Sequence, residues 1–283
     1  MSSSTDSDTV SAYSRFGAQE YEDPANRQFL YGAMTVEFLN TISLRPDDRV
    51  VVDLGAGTGF VFEELGDQFR GGDRKGVGIE PAAGMRAIAE EKFAGDKAFS
   101  IRAGSFEQIP MPDHSADTII STLALHWVKA LPPAAAEMDR VLRDDGRLRV
   151  LMIEKSDGAE FKKAIVRALR RHLSFKQIMK TATLVQRVDE NDVIAELAAL
   201  APRFDIRART VRRLVHGTFE QHMKWWTARS APVIHEVEDK PQFMDDLRRE
   251  MEATETADGI PFDASFLWIE ADPNMTNGGG NRG

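Results

Sequence analysis

The chain has 283 residues, 42% of them hydrophobic, with a net charge of −9 and no cysteine. That length can bury a sizeable core, and no run of about eighteen apolar residues occurs that would read as a membrane-spanning helix. The acidic balance argues against a nucleic-acid substrate, whose affinity rests on neutralising phosphates. The missing cysteines remove disulfides, thiolate nucleophiles, thiolate metal sites and methyl transfer through a cysteine adduct.

Residues 1–9 are rich in Ser, Thr and Asp with no basic-then-apolar leader, so they read as a disordered tail of a cytoplasmic protein. Residues 10–45 read as an N-terminal helical cap; Leu30, Met34, Phe38 and Ile42 recur every fourth position and give it one apolar face.

A core is expected over 46–154. Its first strand, Val50-Val51-Val52, runs into Asp53 and then Gly55-Ala56-Gly57-Thr58-Gly59. Glycines at such a turn let the backbone bend tightly and press against a ligand, and the next helix presents its N–H groups to that ligand. The spacing is G-x-G-x-G: Phe60 stands where a dinucleotide fingerprint needs its third glycine, and no G-x-x-x-x-G-K loop is present. A second strand leads into Glu80, whose carboxylate can accept from both hydroxyls of a ribose.

This pattern resembles motif I of class I S-adenosylmethionine-dependent methyltransferases. The resemblance runs from Val50 to Ile153. Ala103-Gly104-Ser105-Phe106 resembles the motif that flanks adenine, with Ser105 in place of the usual Asp. Thr122-Leu123-Ala124-Leu125-His126-Trp127 resembles the loop facing the transferred methyl. It implies a doubly wound α/β fold, a seven-stranded mostly parallel sheet with the last strand antiparallel, and S-adenosylmethionine as cofactor, leaving as S-adenosylhomocysteine. Asp53, Gly55, Ala56, Gly57, Gly59, Glu80, Met85, Ser105, Phe106 and Leu123 are the implied cofactor contacts.

After strands near 76–80, 98–103, 117–121 and 146–153 the alternation with helices stops. Residues 155–203 read as a helical insertion over the cleft. Residues 204–274 supply two late strands, near 204–214 and 264–271, with substrate-side helices near 219–228 and 240–256; residues 275–283 read as a second disordered tail.

Methyl transfer needs an acceptor held in line and dry, plus a base only where a proton must leave. His126, beside the fourth strand with an ordinary pKa of about 6.5, is the candidate base or else a loop-packing residue. Tyr13 is a second proton acceptor. Phe16, Tyr21, Trp127 and Trp225 are candidate walls for an aromatic acceptor; Phe29 and Tyr31 read as helix packing. Of two adjacent tryptophans, Trp225 and Trp226, one is expected to be structural. The remaining histidines lack ligand spacing, so no metal is expected.

The layout and the Leu-Ala-Leu-His-Trp loop are similar to bacterial indole C3-methyltransferases of pyrroloindoline alkaloid pathways. That implies a small aromatic acceptor, no nucleic-acid or membrane partner, and a monomer or homodimer. Two other readings stay open. One is an O-methyltransferase for a small or carrier-bound carboxylic acid, with Arg143 or Arg167 on the acid. The other is a regulator that binds S-adenosylmethionine without turning it over.

Overall fold

The computed structural model describes residues 22–70, 72–182, 188–227 and 236–274. Two short helices, α1 (Pro24–Gln28) and α2 (Tyr31–Leu39), precede β1 (Val50–Leu54). Then follow α3 (Phe60–Glu64), β2 (Lys75–Ile79), α4 (Ala83–Lys92), β3 (Phe99–Arg102), β4 (Ala116–Thr122), α5 (Leu131–Val141) and β5 (Leu142–Ile153). The second half holds α6 (Ala159–Leu169), α7 (Phe175–Ala182), α8 (Glu190–Glu196), β6 (Phe204–Gly217), α9 (Phe219–Thr227), α10 (Lys240–Glu252) and β7 (Ile260–Pro273).

The strands form one seven-stranded sheet in the order β3-β2-β1-β4-β5-β7-β6. β1 to β5 pair in parallel, and β7 lies antiparallel between β5 and β6. This is the doubly wound fold expected from the alternating apolar runs and helices. Strand order reverses between β1 and β4, and a ligand crevice opens outside the carboxyl ends of the strands at such a switch point.

Side chains alternate between two buried layers, as strand geometry requires. Along β7, Ile260, Phe262, Ala264, Phe266 and Trp268 enter one apolar layer together with α2, α3, α6, α9 and α10. Leu267, Ile269 and Ala271 enter the opposite layer with α5 and α8. The predicted face of the N-terminal cap holds its place, for Leu30, Met34, Phe38 and Ile42 are all buried in the first layer.

Two boundaries differ from expectation. The helix expected after the glycine turn is divided into α3 and a 3-10 turn at Gly66–Phe69, where Gly66 weakens the helical run. The late strands are also longer than predicted. β6 and β7 pair from Phe204↔Pro273 to Gly217↔Ile260, whereas β5 leaves β7 at Ile153↔Phe266. Residues 260–265 therefore rise past the carboxyl end of β5 by roughly 20 Å. The turn after β5 holds this extension, with Glu154 N–H donating to Ser265 O at 2.9 Å and Gly158 N–H to Asp263 O at 2.9 Å.

Candidate active site

The glycine turn after β1 adopts the left-handed backbone that its sequence requires. Gly55 has φ 75° and Gly57 φ 56°. A Cβ on Gly55 would stand 2.2 Å from Ala124 Cβ, so the turn and the loop after β4 meet with no room for a side chain. Above Gly57 nothing lies within 4 Å, and that backbone faces open space where a ligand can approach.

Two carboxylates end the neighbouring strands. Glu80 Oε2 accepts from Gly57 N–H at 2.8 Å and Oε1 from Ala82 N–H at 2.7 Å. Burial raises its pKa above the ordinary value, against the two backbone donors and the charge of Arg86. Asp53 is fully buried, and neither of its oxygens has a hydrogen-bond partner among the described residues. Burial, and then the charge of Glu80, pushes the Asp53 carboxyl well above its usual range. A buried acid without a donor is costly unless a ligand supplies one. The ammonium and ribose hydroxyls of S-adenosylmethionine are donors of that kind, so the residues present fit this cofactor.

Of the other predicted cofactor contacts, Phe106 reaches this turn. Phe106 is buried with its ring 3.6 Å from where a Gly55 Cβ would stand, and Ser105 pairs its backbone with Gln108. Met85 is buried in the first turn of α4. Leu123 takes φ 52°, a backbone state rare for a branched side chain, and its N–H donates to Leu151 O at 2.7 Å. Such strain is kept where the surrounding structure imposes it, often beside a ligand site.

His126 and Trp127 lie in a 3-10 turn, Leu125–Trp127, directly after β4, with ring centroids 5.4 Å apart. His126 is buried. Trp225 is also buried; its ring meets Tyr31 at 4.7 Å, Phe262 at 5.1 Å and Phe161 at 6.1 Å. Trp226 is buried on another side of α9, 6.3 Å from Phe243. Tyr13, Phe16 and Tyr21 lie outside the described residues. Glu22 lies beside the glycine turn, where its carboxylate hydrogen-bonds Thr58 and Lys92. Burial alone would raise the Glu22 carboxyl; those bonds outweigh it and hold it below its ordinary value.

Sequence reasoning passed over a second polar group at this end of the sheet. The Tyr31 hydroxyl donates to Asp157 Oδ2, and Asp157 Oδ1 accepts Ser265 N–H at 2.9 Å. Ser265 Oγ in turn donates to Glu154 Oε2 at 3.0 Å. These residues pin α2 to the turn after β5 and to the raised part of β7. Acids just beyond a strand end, as at 154 and 157, were the available signal.

The two arginines suggested for an acid substrate stand elsewhere. Arg143 is at the amino end of β5, next to the Leu142↔Ala116 pair, with Nε 3.4 Å from Asp117. Arg167 pairs with Glu250 at 2.6 Å. Among the described residues no His, Asp and Glu cluster could hold a metal, and no helix is long and apolar enough to cross a membrane.

Comparison with known proteins agrees with this geometry. Residues 52–150 match the family model described as a methyltransferase domain. An uncharacterised methyltransferase of Anoxybacillus flavithermus (strain DSM 21510 / WK1) is 32% identical over 139 residues, 46% of this chain and 61% of that one. A malonyl-acyl-carrier-protein O-methyltransferase of Yersinia pestis is 31% identical over 137 residues, 48% of this chain and 47% of that one. The chain thus spans only 61% and 47% of these relatives' lengths.

A solved SAM-dependent methyltransferase from Thermotoga maritima superposes with a TM-score of 0.56 at 15% identity, covering 93% of this chain and 99% of that one. The YcgJ protein from Bacillus subtilis gives 0.56 at 19% identity, over 85% and 98% of the two chains. These likenesses are of fold. Fold, glycine turn and domain match together place the 52–150 region among class I methyltransferase domains, enzyme domains whose cofactor is S-adenosylmethionine.

Proposed function

We propose that the protein methylates carbon 3 of an indole bearing a side-chain nitrogen, with ring closure onto C2, in specialised metabolism. S-adenosylmethionine supplies an electrophilic methyl group on its sulfonium. The Asp53 and Glu80 carboxylates and the Gly57 backbone hold the cofactor; Phe106 and Met85 flank its base. His126, with Tyr13 as the second candidate, takes the proton released when the tethered nitrogen closes the ring. Phe16, Tyr21, Trp127 and Trp225 enclose the acceptor and exclude water, and such faces favour a planar ring and a developing cation.

The observation that supports this reading is the aromatic cluster on the raised β6–β7 strand pair, where Phe262 packs in the core against Tyr31, Phe161 and Trp225, beyond the carboxyl end of β5. The second reading, an O-methyltransferase for a small or carrier-bound carboxylic acid, is supported by the malonyl-acyl-carrier-protein O-methyltransferase among the relatives, while Arg143 and Arg167, suggested for the acid, pair with Asp117 and Glu250. The test is product analysis with trideuteromethyl S-adenosylmethionine and a panel of indoles with side-chain nitrogens, phenols and small carboxylic acids. Label on an indole carbon is expected. Label on acids alone would favour ester formation, and cofactor binding without transfer to any member would favour a regulator.

A further inference from the structure

Thr58 stands between Gly57 and Gly59, whose φ values are 56° and 90°. A free chain with two glycines in three residues has many backbone states, so holding this turn in one of them costs entropy. Three groups hold it. Gly57 N–H donates to Glu80 Oε2 at 2.8 Å. Gly59 packs against Phe93, whose Cε2 would stand only 2.5 Å from a Cβ at that position. Thr58 is buried, and its hydroxyl donates to the Glu22 carboxylate. Glu80 and Phe93 flank α4, whereas Glu22 reaches the turn from ahead of β1.

Glu22 is itself fixed by a ring of alternating charges. Arg27 Nη2 lies 3.1 Å from Glu22 Oε2 and 2.6 Å from Glu63 Oε2. Lys92 Nζ lies 3.0 Å from the same Glu22 oxygen and 2.8 Å from the same Glu63 oxygen. Each charge thus has two opposite neighbours, and no side chain of the four is more than 30% exposed. An isolated surface pair contributes little, but a closed network restrains all its members together. The Arg27 guanidinium also lies 4.8 Å over the ring of Phe60, the residue after Gly59. The ring therefore joins α1 to α3 and to the last residue of α4, and it sets the Glu22 carboxylate against Thr58.

We propose that Glu22 is a positioning residue for the cofactor: held by Arg27 and Lys92, it fixes Thr58 and so presets the Gly57–Gly59 backbone in its cofactor-binding form. Glu22 acts through Thr58. Without it the turn must be ordered when the cofactor arrives, and that ordering entropy weakens binding. The role rests on the cofactor being held at the glycine turn and is the same for any methyl acceptor, so it is independent of the indole reading.

Isothermal titration calorimetry of S-adenosylhomocysteine into the full chain, E22A, T58V and the double variant tests this. Each single variant should bind about tenfold more weakly, and the double variant no more weakly than either, because both substitutions remove one contact. T58S keeps the hydroxyl and should bind within about threefold of the natural chain. Amide hydrogen exchange separates positioning from general stability. In cofactor-free E22A the Gly57 and Gly59 amides should exchange about tenfold faster, while the core amides of β4 keep their rates. Saturating S-adenosylhomocysteine should bring the turn amides of the two proteins back together. Unchanged affinity in either single variant, losses that multiply in the double variant, or exchange that quickens equally in the turn and in β4 overturns the proposal. If T58V does not fold, E22A decides through its affinity and exchange pattern, since Glu22 is only half-buried. Weakened binding in E80Q with none in E22A would leave the cofactor site standing and overturn this role alone.

Discussion

The Tyr31 hydroxyl and the Asp157 carboxylate, 126 residues apart, form a buried hydrogen bond that ties α2 to the turn after β5. Asp157 is fully buried and has Ser265 N–H as a further donor at 2.9 Å. Removing the tyrosine donor alone, in Tyr31→Phe, leaves a buried carboxylate short of one partner. A loss of about 1.5–3 kcal/mol is expected. Urea denaturation of the two proteins measures it, and an unchanged midpoint would show that the bond contributes nothing.

Asp53 gives a pH-dependent signature. Its carboxyl is held well above the usual range by burial and then by the charge of Glu80. In the cofactor-free protein the folded state thus keeps a proton that the unfolded chain gives up. The resulting stability is complete below the ordinary carboxyl pKa and is lost as pH rises through the raised value. Asp53→Asn does not titrate, so its Tm advantage over the natural protein should widen as pH rises above the ordinary carboxyl range, while cofactor affinity falls. A Tm difference that is flat across that range would contradict the shift.

Gly55→Ala should be poorly tolerated for two reasons, its φ of 75° and the 2.2 Å approach of the new Cβ to Ala124. Relief requires the loop after β4 to move, and that loop carries Leu123 and His126. A Tm drop together with at least about tenfold weaker cofactor binding is the expected outcome, read by thermal unfolding with and without S-adenosylhomocysteine. Gly57→Ala meets no atom within 4 Å and should pay only for its backbone state.

His126 separates binding from chemistry. His126→Asn should leave cofactor affinity within about twofold and lower kcat by at least about a hundredfold, since proton transfer by a placed side chain is worth that much. Equal kcat in the variant would make the residue a packing element of the turn. Arg143→Ala and Arg167→Ala should each leave kcat/KM within about twofold, because both arginines are engaged outside the cleft.

What the sequence made legible was local. Val50 to Gly59 carries strand, acid and turn in ten consecutive residues, and the structure returns that strand and turn where the glycines stand. The face of Leu30, Met34, Phe38 and Ile42 followed from helical spacing and is buried as expected. The His222–Ile260 and Tyr31–Asp157 contacts span 38 and 126 residues, and no periodicity reports such a pairing. The raised end of the late strand pair was missed because Gly217 and Pro261 interrupt the strand pattern at positions where β6 and β7 still pair. Spacing puts Trp225 and Trp226 on different sides of α9, but both sides prove to be covered.

Cofactor binding at the two strand-end carboxylates underlies every role proposed for this site. Isothermal titration calorimetry of S-adenosylmethionine into the full chain and into Glu80→Gln tests it directly. Glu80 accepts from Gly57 and Ala82 N–H with one oxygen each, and a glutamine can serve only one of them. One-to-one binding to the natural chain, with affinity that rises with pH as Asp53 ionises and at least about tenfold weaker in the variant, is the predicted result. No heat with the natural chain, or equal affinity in both proteins, would contradict the assignment of this site.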